Sequence, residues 1–146
     1  MGNVIAQASM SLDGFIADTN NQVGTLFDWY QNGNAEVTGA DPGLVFHTSP
    51  ASAEYLRAAW SAIGADVIGR RLFDLTNGWN GRPAGGEHVF VVTHQPPADW
   101  PYPDAPFTFV TDGLHRTLAQ AQVAGDRDVS ITARAIATRW RSPPDS

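Results

Sequence analysis

Two adjacent arginines in an acidic chain are the residues best suited to specific chemistry. Gly69-Arg70-Arg71 follows a short apolar run, at a point where a strand passes into a helix. Gly69 lets backbone approach a ligand closely, and a helix start offers free N–H groups to an anion. Two guanidiniums add charge-assisted, bidentate bonds to a phosphate. The same pair also reads as solvated charge after an ordinary strand-to-helix turn, and the residues alone leave both readings open. Ser11-Leu12-Asp13-Gly14-Phe15 sets a carboxylate beside a turn glycine, and Thr93-His94 ends an apolar run with a hydroxyl and an imidazole. The first would suit catalysis and the second contact with a nucleotide, but turn chemistry and a polar strand end account for the same residues more simply. Trp29 is a pocket candidate because it sits in a long segment of little periodicity. The four histidines are scattered without metal-ligand spacing, so no metal is expected. No G-x-S-x-G, G-x-x-x-x-G-K or G-x-G-x-x-G occurs, which removes the common hydrolase, kinase and Rossmann signatures.

Composition narrows the partners. The chain has 146 residues and a formal net charge of −6, and its nine fixed cations are all arginine. Phosphate neutralisation along nucleic acid needs a basic surface, so a small anionic ligand is the better expectation. Apolar residues make up 42% and charged residues 16%, which excludes a wholly disordered chain. No apolar run approaches the roughly 18 residues of a membrane span. Cysteine is absent, removing disulfide and thiolate chemistry. With no basic, apolar leader after Met1, a cytoplasmic protein is expected.

The elements that must position these residues alternate in type. Val4–Ser9 reads as a strand, and 17–47 is either a functional loop or hides a short helix. Ser49 can cap a helix with Pro50 at its first position; Ala53, Leu56, Trp60 and Ile63 then recur at helical spacing until Gly64 stops it. Ala65–Ile68 reads as a strand, with a short helix from Arg70 to about Thr76. Val89–Thr93 is continuously apolar, as in a strand buried on both faces of a parallel sheet. Phe107–Val110 follows as a strand, Asp112 can cap a helix over 114–124, and Val129–Thr132 is a last strand. The pattern implies an α/β domain with a mostly parallel sheet. Ligands of such sheets bind beyond the carboxyl ends of the strands. Ser11–Phe15, Gly69–Leu72, Thr93–Pro96 and Thr132–Ala135 occupy those positions.

These motifs, taken in order, resemble the dihydrofolate reductase-like family. They are Ser11-Leu12-Asp13-Gly14-Phe15-Ile16-Ala17, Leu26-Phe27-Asp28-Trp29-Tyr30, Val67-Ile68-Gly69-Arg70-Arg71-Leu72-Phe73-Asp74 and Val91-Val92-Thr93-His94-Gln95-Pro96-Pro97. The nearer branch is that of the C-terminal reductase domain of the riboflavin-biosynthesis deaminase-reductase. The resemblance runs over about 3–136 and implies one domain over 1–136 with a polar tail, 137–146. It implies a three-layer sheet with helices on both faces and NADPH as cofactor. Asp13, Gly14 and Ile16 then lie beside the nicotinamide and substrate, with Asp13 polarising the substrate or relaying a proton. Gly69, Arg70 and Arg71 take the 2′-phosphate and pyrophosphate, and Thr93 and His94 the adenosine half. Asp28 and Trp29 border the substrate side. Where relatives place a Gly-Gly or Gly-Ala pair against the pyrophosphate, this chain has Ala133 and Arg134. It also stops short of the relatives' last strands.

The resemblance therefore implies an NADPH-dependent reductase acting on a small heterocyclic or sugar-bearing substrate, of the 5-amino-6-(5-phosphoribosylamino)uracil reductase or dihydrofolate type. The unfinished sheet implies a homodimer and weak NADPH binding. Two other functions fit the same residues: a non-catalytic nucleotide binder, and an interaction domain that completes its sheet with a partner chain.

Overall fold

The computed structural model describes residues 2–132. Its central feature is a five-stranded sheet of β1 (Val4–Gln7), β4 (Ile63–Gly69), β5 (His88–Val92), β6 (Phe107–Val110) and β7 (Asp128–Thr132). The strand order is β1-β7-β4-β5-β6, and every pairing is parallel. This α/β arrangement is the expected one. Val89 and Val91 are fully buried, as the continuous apolar run of β5 requires. The sequence positions Ala133 and Arg134, and the tail 137–146, lie outside the described residues.

Both faces of the sheet are covered over its middle strands, while all four residues of β1 are exposed. Helix α3 (Leu114–Ala124) lays Leu118 and Ala121 over Ala65, Val67, Phe90, Val129 and Ile131. On the opposite face, Leu72 and Phe73 of α2 (Arg70–Thr76) pack on Ile68, Val89 and Val91. Phe73 is the hub there, with Trp100, Phe107 and Phe109 at ring distances of 5.1, 6.2 and 5.1 Å. A third cluster joins Val37, Ala53 and Leu56 with Trp29, Tyr30 and Trp60.

That third cluster corrects the reading of 17–47. The segment holds a 3₁₀ helix, η1 (Gly24–Gln31), and all but the last residue of an antiparallel hairpin of β2 (Ala35–Thr38) and β3 (Val45–Thr48). Each strand is four residues long and buries little, so neither leaves a readable alternation. Several boundaries also differ from expectation: β1 ends at Gln7 rather than Ser9, and β5 runs from His88 to Val92 rather than from Val89 to Thr93. Helix α1 (Pro50–Ser61) starts under the Ser49 cap, whose Oγ accepts from the Ser52 amide, but Gly64 does not end it. Ile63 and Gly64 already belong to β4, and a bulge between Ile63 and Ala65 absorbs the irregularity. Helix α3 is capped by Gly113 at φ 88° rather than by Asp112, a conformation that glycine adopts without steric cost.

Asn77–Asn80 forms a left-handed turn, with φ between 47° and 56° at all four residues. L-residues other than glycine lose about 1–2 kcal/mol each in that region. Trp100 offsets this by donating from Nε1 to the Asn77 carbonyl at 3.3 Å, while Trp79 and Trp100 pack against the Phe73 cluster.

Truncating the hub removes contacts that close one whole face. Phe73→Ala should therefore cost about 3–5 kcal/mol of unfolding free energy, read from urea denaturation.

Candidate functional site

Parallel pairing throughout the sheet puts the carboxyl ends of β1, β7, β4 and β5 side by side along one edge. The loops that leave this edge begin the four segments singled out from the sequence, though Ala133–Ala135 of the last lie outside the described residues.

Gly69 is extended, at φ −85° and ψ 158°, and delivers Arg70 and Arg71 directly into α2. The two guanidiniums diverge from there. Arg70 donates from Nε to Asp74 Oδ1 at 2.8 Å and from Nη1 to the Gln95 carbonyl at 2.5 Å. The same Nη1 lies 3.4 Å from Thr93 Oγ1, so Arg70 latches α2 onto the exit of β5. Thr93 is buried, and its hydroxyl donates to the Gln95 carbonyl at 2.8 Å. Arg71 reaches the other way. In the amide orientation that satisfies both groups, Asn21 Oδ1 accepts from its Nη2 at 2.5 Å and Nη1 at 2.9 Å. Asn21 sits at φ 62° in a turn whose amides, at Asn20 and Gln22, donate to the Asp18 carboxylate.

The pair fits a phosphate by the chemistry of its donors. Among the described residues, Nη2 of Arg70 holds no hydrogen bond, and Arg71 is held by a neutral amide that a phosphate outcompetes as an acceptor. Helix α2 has only seven residues, so the guanidiniums rather than the helix dipole carry the charge. His94 is exposed beyond Thr93.

The loop after β1 is tied to itself. Ser11 Oγ donates to Asp13 Oδ1 at 2.5 Å and accepts from the Phe15 amide at 3.0 Å, while the Gly14 amide donates to the Ser11 carbonyl at 2.9 Å. Gly14 stands at φ 85°. Asp13 and Gly14 are exposed at the tip, and Ile16 is half-buried behind them. Asp13 thus clasps its own loop and contacts neither arginine. Asp28 is exposed on η1. Trp29 stacks on Tyr30 at 4.0 Å and belongs to the third hydrophobic cluster. The Tyr30 hydroxyl is pushed up in pKa chiefly by burial, against an opposing hydrogen bond with Ser9 just past β1.

Sequence reasoning missed a polar group beneath this edge. Asp66 is 5% exposed in the middle of β4, on the face that carries Ile68 and α2. The Thr132 hydroxyl donates to it, 3.2 Å from each carboxylate oxygen, and Ser130 and the Val67 amide add hydrogen bonds. Ser130 in turn accepts from Gln7 Nε2 at 2.9 Å. Burial pushes the Asp66 carboxyl up to about 7, with the hydrogen bonds pulling the other way. A lone acid inside an otherwise apolar central strand was the signal available in the sequence.

Among the described residues, no cluster of His, Asp and Glu suits a metal ion, and no helix is long and apolar enough to cross a membrane. An open groove of about 570 Å³, lined in part by Arg57, Trp60, Glu87 and Arg127, lies at the opposite end of the sheet. Its arginines are spent on the Glu36 carbonyl and on Glu87. Side-chain chemistry, not depth, therefore places the candidate site at the carboxyl edge.

No protein-family model matches the chain, and no curated protein matches it. Among solved structures, it is similar to a "putative riboflavin biosynthesis protein" from Shewanella sp. PV-4, with a TM-score of 0.56 and 22% identity. The match covers 90% of this chain and 64% of that one, so the chain spans about two thirds of its neighbour's length. The likeness is one of fold: a mostly parallel α/β sheet with helices packed on it.

A carboxyl whose folded pKa is raised to about 7 binds its proton more tightly folded than unfolded. The stability it contributes is present below the ordinary carboxylate pKa and is lost as pH rises to about 7. Unfolding free energy measured against pH should show a fall of up to about 4 kcal/mol over that window in the wild type relative to Asp66→Asn.

Proposed function

We propose that this chain is an NADPH-dependent reductase of the riboflavin-biosynthesis type. Its substrate would be a small, unsaturated, sugar-bearing heterocycle such as 5-amino-6-(5-phosphoribosylamino)uracil. The observation that carries the reading is the pair Arg70 and Arg71 at the carboxyl end of β4, with Arg70 reaching Thr93 at the exit of β5, on the same edge as the Ser11–Phe15 loop. A neighbour of the same fold named for riboflavin biosynthesis supports it.

On this reading Gly69, Arg70 and Arg71 bind the phosphates, with Thr93 and His94 toward the adenosine. NADPH, when bound, supplies the hydride from its reduced nicotinamide; the protein supplies position and charge. Asp13 holds the Ser11 loop closed, so that Gly14 and Ile16 present backbone and apolar surface to the nicotinamide. Asp28 and Trp29 border the substrate from η1.

Titrating NADPH against the fluorescence of the five tryptophans tests binding, and loss of reduced-nicotinamide absorbance with the aminouracil substrate tests turnover. Saturable binding with no turnover on that substrate or on dihydrofolate would favour the non-catalytic nucleotide binder. If the guanidiniums read the 2′-phosphate, Arg70→Ala/Arg71→Ala should lose most of the preference for NADPH over NADH. Each charge-assisted contact is worth about 1.5–3 kcal/mol, so the ratio of the two affinities should fall at least tenfold. An unchanged ratio would count against the assignment.

A further inference from the structure

We propose that Asp66 stores the proton consumed at the candidate site and that the Thr132 hydroxyl passes it to the substrate. The inference rests on the reductase reading above, since reducing a neutral double bond with hydride also takes up a proton.

Asp13 is poorly placed to hold that proton. It is exposed to water and already accepts from Ser11. Asp66 is the opposite case, a buried carboxyl one hydroxyl away from the edge where ligands of open α/β sheets bind. Thr132 ends β7 between the carboxyl ends of β1 and β4, opposite Gln7 in the register, and is half-buried. Its oxygen lies 3.2 Å from both Asp66 oxygens, so either can exchange a proton with it.

Tying strands together does not explain an acid at this position. Asparagine or serine would join β4 to β7 without the desolvation cost of burying an ionisable group. No charge compensates that cost among the described residues. From β1 and β7 the facing groups are Gln7, Ser130 and Thr132, all neutral. From the segment 82–87 above β4, Arg82 pairs with Asp41 and Glu87 with Arg127. From α2, Arg70 and Arg71 turn to Asp74, Gln95 and Asn21. Burial therefore dominates and keeps the carboxyl protonated up to about neutral pH.

As hydride reaches the unsaturated carbon, the electron pair of its double bond moves to the attached heteroatom. The Thr132 O–H proton transfers to that heteroatom while the Asp66 O–H proton moves to Thr132 Oγ. Asp66 is left ionised and regains a proton from water after product leaves. Thr132 touches the substrate; Asp66 is a positioning residue that recharges it.

Three variants test this: Asp66→Asn, Thr132→Val and Thr132→Ser. Carboxyl ¹³C NMR of the ligand-free protein should show Asp66 titrating near 7, and higher in Thr132→Val, where a donor to the carboxylate is gone. With NADPH and the aminouracil, wild-type kcat should fall as pH rises above neutrality. Asp66→Asn and Thr132→Val should lower kcat by about 100-fold or more, remove that pH limb and leave the KM for NADPH unchanged. Thr132→Ser should restore most of kcat. If Asp66→Asn fails to fold, the Thr132 pair decides alone. Asp66 titrating in the ordinary carboxylate range, or Thr132→Val keeping wild-type kcat while NADPH still binds, overturns the relay and leaves the reductase reading intact. A wild type that neither binds nor oxidises NADPH removes the reductase reading and the relay with it.

Discussion

Strand β4 is the constraint from which the rest of the molecule follows. It is buried from Ile63 through Ile68 and pairs in parallel on both sides, with β5 and with β7. Parallel neighbours cannot be joined by tight turns, so each connection must cross over a face of the sheet. Those crossovers supply α2 on one face and α3 on the other, and they bring the exits of four strands to a single edge. Because β4 sits in the middle, whatever leaves its carboxyl end stands at the centre of that edge. Gly69 and the two arginines occupy that place.

The arginines also do mechanical work for the fold. Arg70 fastens α2 to the exit of β5, and Arg71 holds the turn that contains Asn21. One pair of arginines thus fastens two connections of the chain. An anion arriving at this position competes with the Asn21 amide for Arg71 rather than with a carboxylate, so its binding does not require a strong ion pair to break.

The parts of this architecture legible in the sequence were those in which local chemistry and global packing agree. Ser49-Pro50 starts a helix on any backbone, and Val89–Val92 is too apolar to lie anywhere but the middle of a sheet. The hairpin was not legible, because its strands are short and Val37 alone of β2 is buried. The Gly64 and Asp112 boundaries failed because a neighbouring glycine or bulge won locally: Gly113 takes the cap position, and β4 begins before its first apolar run would suggest. At the site, the residue types were readable but their engagements were not. Nothing in Gly69-Arg70-Arg71 announces that the two side chains part company, nor that Asp66, three residues earlier, meets Ser130 and Thr132 from a strand about sixty residues away.

The turn at Asn77–Asn80 has a stereochemical consequence. Four successive residues there occupy the region that L-amino acids avoid and their mirror images prefer. Asn80 is exposed, and among the described residues its side chain is engaged only with Asn77, at 3.0 Å. In a chemically synthesised chain, D-asparagine at position 80 would find its own favoured backbone geometry where the natural enantiomer is strained, and it would give up one exposed hydrogen bond in exchange. The fold thus holds a site at which inverted chirality suits the backbone better than the chirality that the ribosome supplies.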